Sequence, residues 1–156
     1  MAKHLHDFLA RATQKAMVAL EAALARLPDD KRDWSPMGDA RTALDMVAEC
    51  ALMNGSTAAL IQTRVFPADF DWAAFGRAKT DLAQDGNALQ SLLHANTEKV
   101  IAALNAVAEE DLNVAVPMPW GLMALSEVMA YPYWNMSYHE GQITYIASLL
   151  PRGDDR

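Results

Sequence analysis

The residues best placed to do chemistry fall in one run, Tyr131-Pro132-Tyr133-Trp134-Asn135-Met136-Ser137-Tyr138-His139-Glu140-Gly141-Gln142-Ile143. Asn135, His139 and Gln142 are spaced four and three apart, and Ile146 and Leu149 continue the line, so on a helix they share one flank. That flank would point polar groups into a helix bundle or its mouth. A neutral imidazole at His139 is a natural metal ligand or proton carrier. A hydrogen-bonded structural histidine is the competing reading. Gly141 in mid-helix costs about 1 kcal/mol relative to alanine, which points to another helix or a ligand lying close to the backbone there.

Several other residues look reactive and read as structural. Cys50 is the only thiol, and the charge of neighbouring Glu49 works against a thiolate, so a buried, inert cysteine is expected. His4 and His6 are two apart and cannot chelate together on a helix; both are expected at the surface. His94 has no acidic or histidine partner at helical spacing and reads as a partly exposed helix residue. Asp69-Phe70-Asp71 lacks the glycine and distal glutamate of a calcium loop. There is no phosphate-binding glycine loop, no serine nucleophile elbow and no zinc-type cysteine cluster. Nine methionines suit a soft, adaptable core.

The elements that must hold these residues follow from composition and periodicity. With 156 residues, 52% hydrophobic and 21% charged, the chain reads as one globular domain over 1–156. A net charge of −7 argues against nucleic acid and anionic membranes as partners. No apolar segment approaches the roughly 20 residues that span a bilayer. A lone cysteine and an N-terminus broken by Lys3, His4, Asp7, Arg11 and Lys15 lead to a cytoplasmic expectation. Apolar residues at three-and-four spacing predict a first helix from Ala2 to about Leu27, stopped by Pro28-Asp29-Asp30. After a loop at Asp33-Trp34-Ser35-Pro36, in which Trp34 is expected to tuck against the bundle end, a second helix starts near Asp39, its expected N-cap. The aromatic-rich stretch Arg64–Gly76 reads as an irregular connection, either packed over one end of the bundle or serving as a ligand lid. A third helix is predicted from Thr80 to Ala108, weakened at Gly86, and a fourth from Leu122 to Leu150, kinked at Pro132. No segment shows sustained period-two alternation, so the expected architecture is all-α, an antiparallel four-helix bundle.

At its His139 run the chain resembles the DinB/YfiT-like superfamily of four-helix proteins, whose last helix carries His-x-x-x-His-x-Gly-Gln-Ile. Here the pattern reads Asn135-x-x-x-His139-x-Gly141-Gln142-Ile143. The stretch Asp33-Trp34-Ser35-Pro36 followed by Ala43-Leu44-Asp45-Met46-Val47-Ala48-Glu49-Cys50 is similar to the start of the family's second helix, where a histidine usually stands near Glu49. The resemblance implies a divalent metal (zinc, nickel, manganese or iron) held by three histidines. Carried over residue by residue, the ligands would be Glu49, Asn135 and His139, so one histidine of three remains. A carboxylate can replace an imidazole, whereas an amide oxygen is a weak ligand for late transition metals, and a lower affinity is expected.

The resemblance also implies an activity: metal-dependent hydrolysis or thiol-dependent transfer on a small molecule, with Glu49 and His139 catalytic, Gln142 supporting the cofactor, and a homodimer as the assembly. Without metal, Glu49 and His139 would remain as an acid–base pair, with Gln142 or Asn135 orienting a substrate. The competing reading is a non-catalytic bundle with a degenerate metal site, a ligand-binding or interaction protein in which Glu49, Asn135 and His139 form a structural hydrogen-bond network.

Overall fold

Helical periodicity accounts for most of the backbone in the computed structural model, which describes residues 2–151. The long helices are α1 (Ala2–Ala25), α2 (Ala43–Thr63), α4 (Gly86–Ala106) and α5 (Leu125–Ser148), and a shorter α3 (Trp72–Ala83) lies against α2 and α4. The expected four-helix bundle is therefore present. Its circuit is not sequential: α1 and α2 each pack between α4 and α5, and scarcely touch one another across the diagonal. The connection over residues 26–42, with its single 3-10 turn Asp29–Lys31, is long enough to make that crossing.

Local capping chemistry corrects four expected boundaries. The N-cap of α2 is Thr42, whose hydroxyl accepts the Asp45 N–H at 3.2 Å; Asp39 lies three residues upstream in the connection. The predicted third helix is two helices, because the Asp85 carboxylate accepts the Ala88 N–H at 3.0 Å and starts a new helix with Gly86 at its first position. Regular structure resumes earlier than expected, at Trp72, because Asp71 caps α3 by accepting the Ala74 N–H at 2.9 Å. The fourth predicted helix begins at Leu125 rather than Leu122, since 122–124 belong to a hairpin.

That hairpin, β1 (Ala115–Met118) with β2 (Gly121–Ala124), went unpredicted. Its strands are antiparallel, with Val116 opposite Met123 and Pro117 opposite Leu122. Val116 is buried between exposed Ala115 and Pro117, but four residues are too few for alternation to stand out, and Pro117 and Pro119 read as breakers. Gly121 sits at φ +131° after the Pro119-Trp120 turn, a conformation that favours glycine. The hairpin also anchors α5: Leu125 N–H donates to Val114 O and Ser126 N–H to Leu112 O, both at 2.9 Å. Glu127 closes the end by accepting the Ala124 N–H at 2.7 Å.

The core has two apolar clusters, one around Leu20, Val47, Leu93, Met136 and Ile143, with Trp34 packed against it, and one around Leu9, Ile61, Leu104, Leu125 and Met129. Buried polar side chains lie along the same helices. Asn54 donates to Thr97 Oγ1 at 3.0 Å, Thr97 donates to Leu93 O at 2.7 Å, and Asn96 donates to Ala51 O at 2.8 Å. The tight helix crossing is at Gly55, where an added Cβ would come within 2.6 Å of Asn96 Nδ2. Gly141, expected to mark a close approach, has nothing within 4 Å of a built Cβ.

Thr42→Ala is expected to lower stability by about 1 kcal/mol, while Asp39→Ala stays within about 0.5 kcal/mol. Urea unfolding checks this, and equal losses would return the cap to Asp39. Gly141→Ala is expected to stabilise the protein by up to about 1 kcal/mol; a loss in thermal unfolding would reveal a neighbour at that backbone.

Candidate functional site

At the start of α2, Arg41, Asp45 and Glu49 are spaced four apart and line up on one face. The Arg41 guanidinium bridges the two carboxylates: its Nε donates to Asp45 Oδ2, and its Nη2 donates to Glu49 Oε2 at 2.7 Å. Lys79 of α3 holds the other Asp45 oxygen at 3.0 Å. From α5, His139 Nε2 lies 3.1 Å from Glu49 Oε1, and its Nδ1 lies 2.7 Å from Gln142 Oε1. A continuous chain Lys79, Asp45, Arg41, Glu49, His139, Gln142 thus ties α3, the start of α2 and the middle of α5 together.

Burial alone would push the Glu49 carboxyl up, but the His139 hydrogen bond and the Arg41 charge together hold it below the usual glutamate range. Burial works against the charge of Arg41 as well, and its hydrogen bond to Asp45 and the charges of Glu49 and Asp45 reverse that and raise it. The neighbouring Cys50 thiol is pushed far up, first by burial and then by the Glu49 charge, in keeping with an inert cysteine. Burial, and then the Glu49 charge, also push up the Tyr131 phenol.

The predicted site residues separate in space. Glu49 and His139 do meet, and Gln142 joins them on the far side of the ring. Asn135 does not join them: its side chain is buried and its Nδ2 faces Cys50 Sγ at 3.7 Å. His6 is buried rather than surface-exposed, because it continues the inward stripe of Leu9, Thr13, Ala16 and Leu20 on α1. His4 and His94 are exposed as expected, although His94 Nε2 has an acidic partner, Glu21 Oε1 at 2.7 Å, supplied across the helix interface from α1.

Two cavities flank the polar chain. The first, about 680 Å³, lies beneath the stretch that was expected to be a lid or an end cover, and it is walled by Phe66, Phe70, Trp72, Phe75, Trp120 and Tyr131. Phe66 is 6.0 Å from Trp120 and 5.4 Å from Phe70 between ring centroids, and Phe70 is 4.5 Å from Trp72, so the rings form a connected wall. Among the described residues, Glu49 is the only charged one lining this cavity. The second cavity, about 840 Å³ and more open, has Arg41, Gln142, Tyr138 and Tyr145 in its wall. His139, with its side chain 4% exposed, lines neither.

This donor set does not fit a divalent metal. Both Glu49 oxygens and both imidazole nitrogens already have partners, the guanidinium supplies a fixed positive charge beside the carboxylate, and Asn135 faces away toward sulfur. Among the described residues no three His, Cys, Asp or Glu side chains gather where they could hold one ion.

No protein-family model matches the sequence, and no curated protein matches it. Solved structures do. YfiT from Bacillus subtilis, described as a probable metal-dependent hydrolase with an unusual four-helix bundle topology, superposes with a TM-score of 0.76 at 15% identity, covering 92% of this chain and 86% of that one. The mycothiol-dependent maleylpyruvate isomerase gives a TM-score of 0.73 at 12% identity over 88% of this chain and 60% of its own length, so the present chain spans less than two thirds of that enzyme. The colibactin self-resistance protein ClbS, solved in complex with a double-stranded DNA, gives 0.68 at 13% identity, with 94% and 97% covered. The chain has the DinB/YfiT-like four-helix-bundle fold.

Sequence reasoning missed Arg41, Lys79 and the Trp120 and Tyr131 part of the aromatic wall, whose other rings come from the stretch read as an end cover or lid. For Arg41 a signal was present, a base four and eight residues ahead of two acids on one helix face; for Lys79 and the hairpin's Trp120 none was, since the chain's return path alone brings them in.

Because the folded-state value of Glu49 lies below that of the unfolded chain, its contribution to stability is present above the ordinary glutamate value of about 4.5 and is lost as pH falls through the lower, folded one. Glu49→Gln should therefore be less stable than wild type at pH 7, and should lose less on acidification from pH 5 to pH 3. Urea midpoints across that range test it, and parallel acid limbs would remove Glu49 from the linkage.

Proposed function

We propose that this chain is a small-molecule-binding member of the fold, in which an internal Arg41–Glu49–His139 network stands where a metal would be expected from the resemblance. The observation that carries this reading is the engagement of both Glu49 oxygens, by Arg41 Nη2 at 2.7 Å and His139 Nε2 at 3.1 Å, on the wall of an aromatic cavity. A cavity of about 680 Å³ falls in the size range that encloses drug-sized ligands, and its apolar wall with one charged group is the usual composition of such sites. Glu49 is the group a ligand would touch. His139 acts as a positioning residue, since its ring is buried and both nitrogens are in use.

The hydrolase and thiol-transferase readings draw on what YfiT and the maleylpyruvate isomerase are said to do. For this chain they would require Arg41 to leave Glu49 and a metal to accept a carboxylate and one imidazole. The acidic charge supports a small molecule over nucleic acid as the partner. Glu49→Gln separates a Glu49 acid–base role from a binding role, since a reaction using its proton would stop while an apolar ligand would still bind.

The homodimer expected from the resemblance has a surface to use. Trp134, Tyr138, Tyr145 and Leu149 form an exposed stripe on α5, centred on Gly141. A two-fold axis between Gly141 and Gln142 would set Trp134 against Leu149 and Tyr138 against Tyr145 of a second copy, a self-complementary arrangement.

Titration of zinc, nickel and manganese into tag-free protein is expected to leave the thermal midpoint unmoved and to give no stoichiometric uptake. A one-to-one metal that disappears in His139→Ala would overturn the binding reading in favour of a metalloenzyme. In sedimentation velocity, Trp134→Glu should shift a wild-type dimer to monomer; a wild type that is already monomeric would refute the α5 pairing.

A further inference from the structure

The charge distribution around the aromatic cavity specifies more than an apolar ligand. Among the described residues no lysine, arginine or histidine lines it, and the one ionised group there is the Glu49 carboxylate. A carboxylate offers about four lone-pair positions. Arg41 and His139 take one each, and the side chain remains 21% exposed, so part of its acceptor capacity faces the cavity. The groups that answer Glu49 and Asp45 lie off this wall: Arg41 lines the second cavity, and Lys79 and His139 line neither. The aromatic faces add to the same sign, since each ring presents a negative π-face to whatever lies over it. An anionic ligand would bury its charge against a carboxylate and ring faces, and the described lining offers it no cationic group, only neutral donors such as Ser56 and Thr63. A cation meets the Glu49 carboxylate and the ring faces. The net charge of −7 would also speed the arrival of cations.

We infer that the cavity takes a lipophilic ammonium compound, its N–H groups donating to Glu49 beside the Tyr131 ring and its apolar body lying along Phe66, Phe70, Trp72 and Phe75. This rests on the ligand-binding reading above and names the chemical class of the ligand. Tyr131 is close enough to Glu49 for the carboxylate charge to act on its phenol, so an ammonium at the carboxylate would also meet the ring. Trp72 and Trp120, 55% and 63% exposed, stand at the cavity mouth, where apolar surface in contact with water would be covered by the tail.

Three matched probes test this: 4-phenylbutylamine, 4-phenylbutanol and 5-phenylpentanoate, identical in their phenylbutyl part and cationic, neutral and anionic at pH 7. Binding is read by tryptophan fluorescence and confirmed by calorimetry. The amine is expected to bind about tenfold more tightly than the alcohol, a ratio equivalent to ~1.4 kcal/mol, with the carboxylate weakest. Glu49→Gln should bring amine and alcohol to within about threefold of each other, because the charge-assisted contact that favours the amine is removed. Trp72→Leu should weaken all three probes alike. An alcohol that binds as tightly as the amine in wild type would overturn the ammonium assignment and leave a plain apolar site; this ranking decides the point even where Glu49→Gln fails to fold. Failure of all three at millimolar concentration would overturn the ligand-binding reading itself.

Discussion

Glu49 is held from two directions, by Arg41 from the connection ahead of its own helix and by His139 from the adjacent helix α5, and the arrangement of the site follows from that double engagement. A half-buried carboxylate without partners would take up a proton or turn toward water. With both oxygens engaged it stays ionised, and α2 is fixed in register against α5. The same contacts extend outward to Asp45 and Lys79, so α3 is tied to α2 by charge as well as by packing. Removing any one member leaves a partly buried charge without its complement, which is costlier than never having placed the pair there.

The network also explains why one bundle carries two cavities of different character. It forms a polar partition: Glu49 faces the aromatic cavity, while Arg41 and Gln142 face the more open one. Among the described residues, Glu49 is thus the charged group on the aromatic side, while Arg41 and Asp39 are on the more open one. The aromatic cavity exists because a short helix, a hairpin of two four-residue strands and the stretch between α2 and α3 bring their rings over the flank of α2 instead of filling a core. Rings at that mouth keep apolar surface in water, an arrangement that burial energetics disfavour unless something binds there.

An arginine beside the carboxylate has a chemical consequence for the fold's expected metal chemistry. A guanidinium is a permanent cation with directional donors. It neutralises Glu49 as a metal would, but it offers no exchangeable coordination position and no Lewis acidity. Where the resemblance would place histidines this chain has Glu49 and Asn135; Arg41 answers the charge of Glu49, and Asn135 lies against Cys50 in the core.

Much of this was legible in the sequence. The long amphipathic blocks, the stop at Pro28, the flank shared by His139 and Gln142, and the burial of Cys50 all follow from local spacing and residue chemistry, because a helix fixes which side chains share a face. Capping was also written there, in Thr42, Asp71 and Asp85, although each competes with other polar residues nearby, as Asp39 did for α2. Pairings between distant segments were not legible: the diagonal placement of α1 and α2, the Glu21 partner of His94, the Arg41 and His139 contacts meeting on one carboxylate, and the hairpin that brings Trp120 to the cavity. Periodicity says which face of a helix is buried, but not which partner covers it. That is decided only when all the faces pack at once, and the cavity, the network and the sign of its charge are properties of that packing.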